Sequence, residues 1–303
     1  MQFIKAKGIL SSQNGMNIYR GCTHGCIYCD SRSLCYHTPI PFENIEVKEN
    51  ACELLENALK AKRKKCMIGT GSMSDPYMHC EKDIRLTRRC LEVIEKYGFG
   101  VTVLTKSNLI LRDIDILEQI NKKAKAVVQM TLTTFDDKLC KILEPNVCVT
   151  SERVKVLKEC LVRQIPTVVW LDPFLPYIND NFENLYALLN ICAEVNVKGI
   201  ICFGIGLTLR EGNREYFYKA LDKNFPNLKQ KYIEDFGNSY EVTSPNNTEL
   251  MNYFYSFCRE RKIMCSINDV FSYLHDFPKM DDGQLELFYK TCKMLKTSLL
   301  TDR

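Results

Sequence analysis

The sequence contains no long run of hydrophobic residues. No segment approaches the roughly 20 consecutive apolar residues that a membrane-spanning helix needs, and the first residues, MQFIKAKGILSS, lack the apolar centre of a signal peptide. A basic tail is also absent, because the net charge of +4 comes from 41 Lys and Arg intermixed with 37 Asp and Glu. We therefore expect a cytoplasmic protein with no membrane partner, whose charge permits an anionic ligand without requiring one.

Linkers rich in Pro, Gly and Ser are missing too, as is any low-complexity stretch. The chain has 303 residues, of which 46% are hydrophobic, so it can bury a full core as one large domain or two small ones. The alternation of apolar runs and helical segments loosens after residue 206. We expect a domain over residues 1–210 and a C-terminal extension over residues 211–303 that packs on it.

Cysteine, by contrast, is abundant, with 16 residues. In a cytoplasmic chain most of them should be reduced thiols, because disulfides are rare in that compartment. Many lie among apolar residues at helical spacing, where a free cysteine acts as a small buried hydrophobe. Examples are Cys52, Cys90, Cys160, Cys192 and Cys258. This usage argues against a small disulfide-stabilised scaffold.

Six short apolar runs alternate with longer segments of helical periodicity, at a spacing of about thirty residues that is typical of βα units. The runs are residues 16–21, 66–71, 100–106, 126–134, 166–175 and 199–206. Near-continuous apolar strands favour a parallel sheet, and successive right-handed crossovers curl such a sheet toward a barrel. The sequence predicts an α/β fold, a partial (β/α)6 barrel. Its C-terminal helical cap would contain helices near 246–261 and 283–297, which flank a strand-like KIMCSIND.

In such a barrel, chemistry gathers at the carboxyl ends of the strands. The first run is followed by a cysteine-rich loop. The later runs lead into SMSDPY (72–77), KSN (106–108), the pair Thr131 and Thr133, DPF (172–174) and LTLR (207–210). We expect these segments to bring thiols, hydroxyls, a cation and carboxylates to one mouth.

The cysteine-rich loop, YRGCTHGCIYCDSRSLCY, places Cys22, Cys26 and Cys29 at a C-x3-C-x2-C spacing. Three thiolates at this spacing can bind three irons of a [4Fe–4S] cluster and leave the fourth iron open to a non-protein ligand. A zinc site is the alternative, since His24 or Cys35 could complete a set of four ligands. Structural zinc sites prefer paired knuckles held apart in sequence, which favours the cluster and leaves Cys35 as a bystander thiol.

This loop, with Tyr28 before its last ligand cysteine, resembles the cluster motif of the radical S-adenosylmethionine (SAM) superfamily. Four stretches resemble its spore photoproduct lyase-like branch, often labelled a DNA repair photolyase family: NIYRGCTHGCIYC, GSMSDPYMHCEKDIRLTRRCLEV, LTKSNLILRDIDIL and TLTTFDDKLCKILEPN. The resemblance implies an enzyme whose [4Fe–4S] cluster, on Cys22, Cys26 and Cys29, binds S-adenosylmethionine at its open iron. Reductive cleavage of that cofactor would give a 5′-deoxyadenosyl radical, which abstracts hydrogen from the substrate.

The resemblance also implies roles for residues at the strand ends. Ser72 and Ser74 are similar to the family's contact with the methionine amino group. Lys106 stands where the family places a cation near the methionine carboxylate. Thr131 or Thr133 is similarly placed for the ribose hydroxyls. We expect all of these side chains to bind the cofactor.

Two tyrosines complete the candidate site. Tyr28 can lay its ring against a flat ligand. Tyr77 is a candidate catalytic residue that faces substrate or relays a hydrogen atom, although the Asp-Pro before it also favours a simple turn. The resemblance departs at one point: a spore photoproduct lyase uses a cysteine near the end of the second strand as hydrogen donor, and this chain has Ser72 and Met73 there. A thymine-dimer substrate therefore does not follow.

Three hypotheses for function result. The leading one is a radical SAM enzyme acting on a nucleic acid or nucleotide, supplied with electrons by a donor such as a flavodoxin or ferredoxin. The second keeps this chemistry and directs it to a peptide or a small metabolite. The third is a non-catalytic iron–sulfur or zinc protein that binds nucleic acid. The sequence does not determine the oligomeric state.

Overall fold

The computed structural model describes residues 1–37 and 41–278. The strands are β1 (Gln2–Ile4), β2 (Gly15–Met16), β3 (Tyr19–Arg20), β4 (Glu46–Lys48), β5 (Met67–Thr70), β6 (Gly100–Thr105), β7 (Ala126–Thr131), β8 (Thr167–Trp170), β9 (Gly199–Ile201), β10 (Gly206–Thr208) and β11 (Glu241–Thr243). The helices are α1 (Ala51–Ala61), α2 (Glu81–Ile84), α3 (Leu86–Lys96), α4 (Ile114–Lys123), α5 (Asp137–Leu143), α6 (Thr150–Val162), α7 (Phe182–Glu194), α8 (Asn213–Asn224), α9 (Leu228–Phe236), α10 (Asn247–Arg261) and α11 (Ile267–His275). None of these helices is both long enough and apolar enough to cross a membrane.

A six-stranded sheet with the order β2-β5-β6-β7-β8-β9 forms the centre of the molecule. Every neighbouring pair in it is parallel. Spatial order follows chain order, so each crossover moves one strand along the sheet, as in a partial (β/α)6 barrel. The predicted fold class is confirmed.

The first predicted strand, residues 16–21, is divided between two sheets. β2 pairs with β5 at the edge of the barrel, whereas β3 pairs antiparallel with β4 in a separate three-stranded sheet that also contains β1. The apolar pattern continues through both strands and therefore could not show where the chain leaves the barrel. The cysteine loop consequently follows β3 rather than a long barrel strand.

The crossover helices cover the outer face of the sheet with the apolar stripes expected from their periodicity. α1 buries Leu55 and Leu59, and α3 buries Leu86, Leu91 and Ile94. These side chains join one continuous core with the outward-facing residues of the sheet. The core therefore fixes the strands whose carboxyl ends carry the candidate site.

The C-terminal segment packs on the barrel through two helices. α10 spans the predicted helix near 246–261 and packs on α7, whereas the predicted helix near 283–297 lies outside the described residues. The expectation of a strand at KIMCSIND is wrong. Met264 makes a single bridge to Gly199, and Ser266 then caps α11 by accepting a hydrogen bond from the backbone N–H of Asp269.

α11 lies on the inner face of the sheet, at the amino ends of the strands. Its residues Val270 and Leu274 pack against Val127, Val168 and Ile201. Side chains two residues apart on a strand share a face, so the same face continues toward the carboxyl ends of β7 and β8. The inner space is thus filled by α11 at one end and open at the other.

The segment after residue 210 shares a core with the cysteine loop. Ile27 and Tyr28 belong to one buried cluster with Phe217 of α8, Tyr232 of α9 and Val242 of β11. This part of the chain packs on the barrel at the side where the loop lies. The boundary at residue 210 stays a prediction, because the shared core gives no separate unit at that point.

Candidate active site

The cysteine loop begins at a position that only glycine can occupy without strain. Gly21 has a φ of +83°, and a Cβ there would lie 2.5 Å from the carbonyl oxygen of Phe42. The backbone N–H of Cys22 donates to that same oxygen at 2.9 Å. The tight turn therefore directs the chain from β3 into the loop and fixes the first cysteine.

The loop is held from behind by the segment that follows α5. The N–H of Ile27 donates to the carbonyl of Leu143 at 2.9 Å, and the N–H of Asn146 donates to the carbonyl of His24 at 3.1 Å. The side-chain amide of Asn146 also donates to the carbonyl of Thr23 at 3.0 Å. These bonds satisfy backbone groups that an unsupported loop would leave open, and they hold the three cysteines in a defined arrangement.

A fully buried ion pair supports this segment. Glu144 and Arg153 are both inaccessible to solvent, with 2.5 Å between Oε2 and the guanidinium Nη2. Tyr28 donates its hydroxyl proton to Glu144, and Arg153 also donates to the carbonyl oxygens of Thr131 and Cys148. Although burial alone raises it, the pKa of Glu144 lies below its usual value because Arg153 and Lys106 attract the carboxylate. The pair links the cysteine loop to the end of β7.

Asp75 forms a second link, between the loop after β5 and the end of β6. Its carboxylate accepts hydrogen bonds from the N–H of Tyr77, the hydroxyl of Thr105 and the N–H of Lys106, at 2.7 to 2.8 Å. The Nδ1 atom of His24 lies 3.5 Å from the same carboxylate. Burial lowers the pKa of His24 despite this neighbour, so the ring is neutral at physiological pH. Asp75 therefore fixes the backbone from which Lys106 projects.

Lys106 is the cation that most strongly lowers the pKa of Cys26 and Cys29. Burial alone would lower its pKa, but the Glu144 carboxylate, and Cys26 when it is a thiolate, raise the pKa above its usual value. Its ammonium lies 5.9 Å from the centre of the Tyr28 ring. The side chain is therefore charged and aimed at the region where the loop meets the strand ends, which suits it to bind a carboxylate.

The three thiols of the loop share one electrostatic environment. Burial raises the pKa of Cys22 to about 11, with a further contribution from Asp75. Burial also raises the pKa of Cys26 and Cys29, while Lys106 opposes that rise at both. The thiols are consequently protonated without a metal, and binding of iron must displace their protons.

A cavity of about 830 Å³ opens beside these groups at the carboxyl ends of the barrel strands. One side of it, which we call the near wall, is formed by Cys26, Tyr28, Cys29, Ser72, Lys106 and Thr131. All six are residues that the sequence predicted for the site. Cys22 lies behind them, partly buried against the barrel core. The structure thus brings one serine, the lysine, one threonine and the loop tyrosine to one surface.

Three predicted residues do not reach this cavity. Ser74 and Thr133 are buried, and the cavity lining includes neither of them. Tyr77 is also buried, because the turn held by Asp75 directs its ring outward to a position 6.0 Å from the guanidinium of Arg112. Its ring packs in the main core, so Tyr77 does not line this cavity, and its catalytic role stays a prediction. Thr133 lies beyond the last residue of β7, so Thr131 is the member of this pair that lines the cavity.

A second part of the cavity lining, which we call the far wall, comes from residues at and just after the ends of β8 and β9, and it begins beside the last residue of β7. Trp170 donates its indole N–H to Gln129 at 2.9 Å, and its ring lies 6.0 Å from that of Phe203, edge to face. Phe203 is 58% exposed although it is large and apolar. Burial raises the pKa of Asp172 to about 7, against the opposing effect of Lys106.

The rim of the cavity joins the cysteine loop to the C-terminal segment. Arg210 donates to the sulfur of Cys35 at 3.2 Å and to the hydroxyl of Tyr36 at 3.3 Å. The other terminal nitrogen of Arg210 donates to the hydroxyl of Tyr240 at 2.6 Å, and its Nε lies 3.6 Å from Asp30. Arg210 therefore bridges the turn after the cysteines and the start of β11.

The donor set fits an iron–sulfur cluster better than a single metal ion. Among the residues of the described segments, no three His, Cys, Asp or Glu side chains converge closely enough to hold one ion. Thiolates on one zinc ion lie about 3.8 Å apart, given Zn–S bonds of about 2.3 Å in a tetrahedron. A cubane spreads its ligands over separate irons. Cys22, Cys26 and Cys29 would bind three of these irons, and the cavity at Cys26 and Cys29 leaves room for a ligand on the fourth.

Comparison with known proteins identifies the family. The profile of the Radical SAM superfamily matches residues 16–189, more than half of the chain. An uncharacterised protein of Methanocaldococcus jannaschii is 34% identical over 240 residues, which cover 78% of this chain and 82% of that protein. The chain belongs to the radical SAM superfamily. An iron–sulfur cluster and S-adenosylmethionine, the cofactors expected from the motif, are those of this enzyme superfamily.

Other relatives of this radical SAM chain are more distant. Uncharacterised proteins of Mycobacterium are 26% identical over 225 residues, and the chain spans 66% of their length. A spore photoproduct lyase variant with bound AdoMet and dinucleoside spore photoproduct has a TM-score of 0.60 at 12% identity, covering 87% of this chain and 80% of that one. The methyltransferase TsrM of Kitasatospora setae, with cobalamin and a [4Fe–4S] cluster, has a TM-score of 0.55 at 12% identity, covering 83% and 54%. These likenesses show the fold.

Sequence reasoning missed the residues that support the radical SAM site from behind. Glu144 stands within the stretch TLTTFDDKLCKILEPN, but nothing local marks it as buried. Arg153 gave a usable signal, since it occupies the same helical face as Val156, Leu157 and Cys160, all of them buried. A charge on an apolar stripe indicates a buried partner. The partner itself could not be read from the sequence.

Proposed function

We propose that the protein is a radical SAM enzyme that cleaves S-adenosylmethionine reductively and abstracts hydrogen from a nucleic acid or nucleotide. One observation carries the cofactor half of the proposal, the cleavage of S-adenosylmethionine: the composition of the near wall. Two of the three motif thiols, a buried lysine ammonium and two hydroxyls line one cavity at the carboxyl ends of a parallel barrel. No other described surface combines these groups.

The cofactors supply the reactive chemistry when bound: an electron from the cluster breaks a carbon–sulfur bond of S-adenosylmethionine and yields a 5′-deoxyadenosyl radical. The protein chain positions the cofactor. Lys106 pairs with the methionine carboxylate, Ser72 contacts the amino group, and Thr131 reaches the ribose hydroxyls. Since Lys106 is largely removed from water, its pairing with a carboxylate is stronger than at an exposed site.

The substrate half of the proposal rests on the far wall. Phe203 offers an exposed aromatic face, and Asp172 offers a carboxyl group that accepts no hydrogen bond from the described residues. A planar base can stack on the Phe203 ring and form a hydrogen bond with the Asp172 carboxyl group. The spore photoproduct lyase structure contains a dinucleoside, which supports this class of substrate.

A small metabolite or peptide is the second candidate, and the size of the cavity favours it over long duplex DNA. About 830 Å³ is at the upper end of the range for small-molecule sites, and β10, β11 and α10 contribute to its lining. One TsrM structure contains a tryptophan substrate. Because the same fold holds a dinucleoside in one protein and tryptophan in another, the fold does not select the substrate.

The proposal includes an electron donor such as a flavodoxin or ferredoxin and a cytoplasmic setting. The cysteines of the described residues are all free thiols. Free thiols persist where the surroundings are reducing. A low-potential donor protein is the usual source of single electrons under such conditions, so we include it as the partner.

The cofactor half is tested by anaerobic reconstitution with iron and sulfide. We expect a brown protein with about four irons per chain, which releases 5′-deoxyadenosine from S-adenosylmethionine under dithionite. Cys26→Ala should lose both iron and product. Cys35→Ala, an exposed thiol in the same loop, is the matched control and should keep them. A Cys26→Ala protein that retains both would overturn the proposal, as would one tightly held zinc ion per chain.

The substrate half is tested separately by isotope transfer. The reconstituted enzyme is incubated with S-adenosylmethionine and, in parallel, with a deuterated single-stranded oligonucleotide, deuterated nucleotides or a deuterated peptide mixture. Deuterium in 5′-deoxyadenosine from the first or second incubation supports the proposal. Deuterium from the peptide mixture alone contradicts it and leaves the cofactor half intact.

A further inference from the structure

Two cysteines outside the active site face each other across a helix pair. Cys52 lies in the first turn of α1, and Cys90 lies in the middle of α3, which packs beside α1. Their sulfur atoms are 3.7 Å apart. A disulfide bond is about 2.05 Å long, so the two sulfur atoms need to approach by only about 1.7 Å.

The two thiols differ in exposure and in acidity. Cys90 is fully buried, whereas Cys52 is partly exposed. The hydrogen bond between the two sulfur atoms lowers the pKa of Cys52, and Arg89 contributes in the same direction. The positive end of the helix dipole at the start of α1 also favours a thiolate there. The same pairing and burial raise the pKa of Cys90.

The helices hold these sulfurs in place. Buried side chains of α1 and α3 belong to the main core, and the N–H groups of Leu86 and Thr87 at the start of α3 donate to the carboxylate of Glu81. Glu81 is itself buried, accepts a hydrogen bond from the hydroxyl of Tyr19 and forms an ion pair with Arg112. A rigid frame of this kind keeps the two thiols at a high effective concentration, which favours ring closure over reaction with separate molecules.

We propose that Cys52 and Cys90 are a reversible oxidation site that closes to a disulfide in the presence of a small-molecule disulfide such as oxidised glutathione. The Cys52 thiolate attacks one sulfur of the oxidant, forms a mixed disulfide and releases one reduced glutathione. Cys90 then attacks the Cys52 sulfur, after giving up its proton, and releases the second. Two protein thiols lose two electrons in total, and the two protons end on the two glutathione thiols.

The experiment uses the reconstituted protein under anaerobic conditions with oxidised glutathione, followed by alkylation and peptide mapping. We expect a linked peptide containing Cys52 and Cys90, in which neither of these two thiols is alkylated. The midpoint of thermal unfolding should rise by about 5 °C, because the bond closes a loop of about 40 residues in the unfolded chain. Dithiothreitol should reverse both changes.

Two variants separate the roles of the thiols. Cys90→Ser should trap Cys52 as a glutathione adduct, and Cys52→Ser should leave Cys90 unmodified because it is buried. Cys66→Ala, which removes a partly buried thiol elsewhere, is the control and should form the linked peptide as the wild type does. The exposed Cys35 reports whether the reagent is active. A glutathione adduct at Cys35 without the linked peptide in the wild-type protein would overturn the proposal.

Discussion

The two walls of the cavity are built differently. Behind the near wall, charged and polar groups satisfy one another: Tyr28 donates to Glu144, which pairs with Arg153, and the N–H of Lys106 donates to Asp75. On the far wall the Asp172 carboxylate has no such partner among the described residues, and Phe203 exposes its ring.

This difference separates two tasks. A wall whose groups are already hydrogen-bonded is preorganised, so it can hold a ligand in one geometry without rearrangement. A wall with an unsatisfied carboxyl group and an open aromatic face gains most when a further molecule supplies the missing contacts. We therefore propose that the near wall binds the cofactor and the far wall binds the substrate. The following predictions test this division.

The largest expected effect comes from breaking the buried ion pair behind the near wall. Arg153→Met leaves the Glu144 carboxylate buried without its partner, and we expect the free energy of unfolding to fall by about 3–5 kcal/mol. Urea denaturation measures this change. The double variant Glu144→Gln with Arg153→Met should recover much of the loss, since no charge then remains buried. A loss below about 1 kcal/mol in the single variant would mean that the near wall is not supported as described.

The next largest effect concerns the cation on the near wall. Lys106→Met removes the partner of the methionine carboxylate, and we expect the Kd for S-adenosylmethionine to rise about 10- to 100-fold, the equivalent of 1.4–2.8 kcal/mol. Anaerobic calorimetry on the reconstituted protein measures it. Lys141→Met, an exposed lysine on α5, should bind as the wild type does. Equal affinity in both variants would remove Lys106 from the cofactor site.

A smaller, pH-dependent effect is expected on the far wall. The folded pKa of Asp172, about 7, lies above its ordinary value of 3.8, so the folded state binds the proton more tightly than the unfolded state does. Its stabilising contribution is complete below about pH 3.8 and is lost as the pH rises through 7. Between pH 6 and pH 9 this group alone should lower the free energy of unfolding by about 1.4 kcal/mol.

Asp172→Asn should remove this decline, and urea denaturation at the two pH values measures it on the protein without cofactors. Asp222→Asn, at an exposed position, is the comparison and should keep it. If the Asp172→Asn protein loses stability between pH 6 and pH 9 as steeply as the wild type, the carboxyl group does not titrate in this range.

The smallest effect on activity and stability is expected for a substitution of Tyr77, behind the sheet. Tyr77 lies outside the cavity, and its buried hydroxyl has no hydrogen-bond partner among the described residues. Tyr77→Phe should therefore leave 5′-deoxyadenosine formation within about 2-fold and should change the free energy of unfolding by less than about 1 kcal/mol, because the hydroxyl makes no well-aligned hydrogen bond. Activity assays and urea denaturation on one preparation measure both. A large loss of activity with unchanged stability would support the catalytic role.

The sequence predicted the parts of this site that depend on local pattern. The cysteine spacing and the order of the strands placed Cys26, Ser72, Lys106 and Thr131 at one mouth, because strand ends of a parallel barrel must meet there. The sequence could not predict that Ser72 lines the cavity whereas Ser74 does not. This difference depends on the turn that Asp75 fixes after the strand has ended.

The sequence could not predict which side chains pair with each other, nor where the strands end. Glu144 and Arg153 lie nine residues apart, and no periodicity connects a carboxylate at the end of α5 to a guanidinium inside α6. The runs of residues 126–134 and 166–175 also overestimate their strands, because Leu132 and Leu171 are buried in the loops beyond the last strand residue. Apolar residues indicate which part of the chain is buried, and the chain stays buried beyond the last hydrogen-bonded residue of each strand.

The position of α11 determines how molecules enter and leave the barrel. With Val270 and Leu274 occupying the amino end of the inner space, the open route to both walls in the described structure is the carboxyl mouth. Cofactor and substrate would therefore share one entrance. Whichever ligand lies nearer that entrance would slow the exchange of the other.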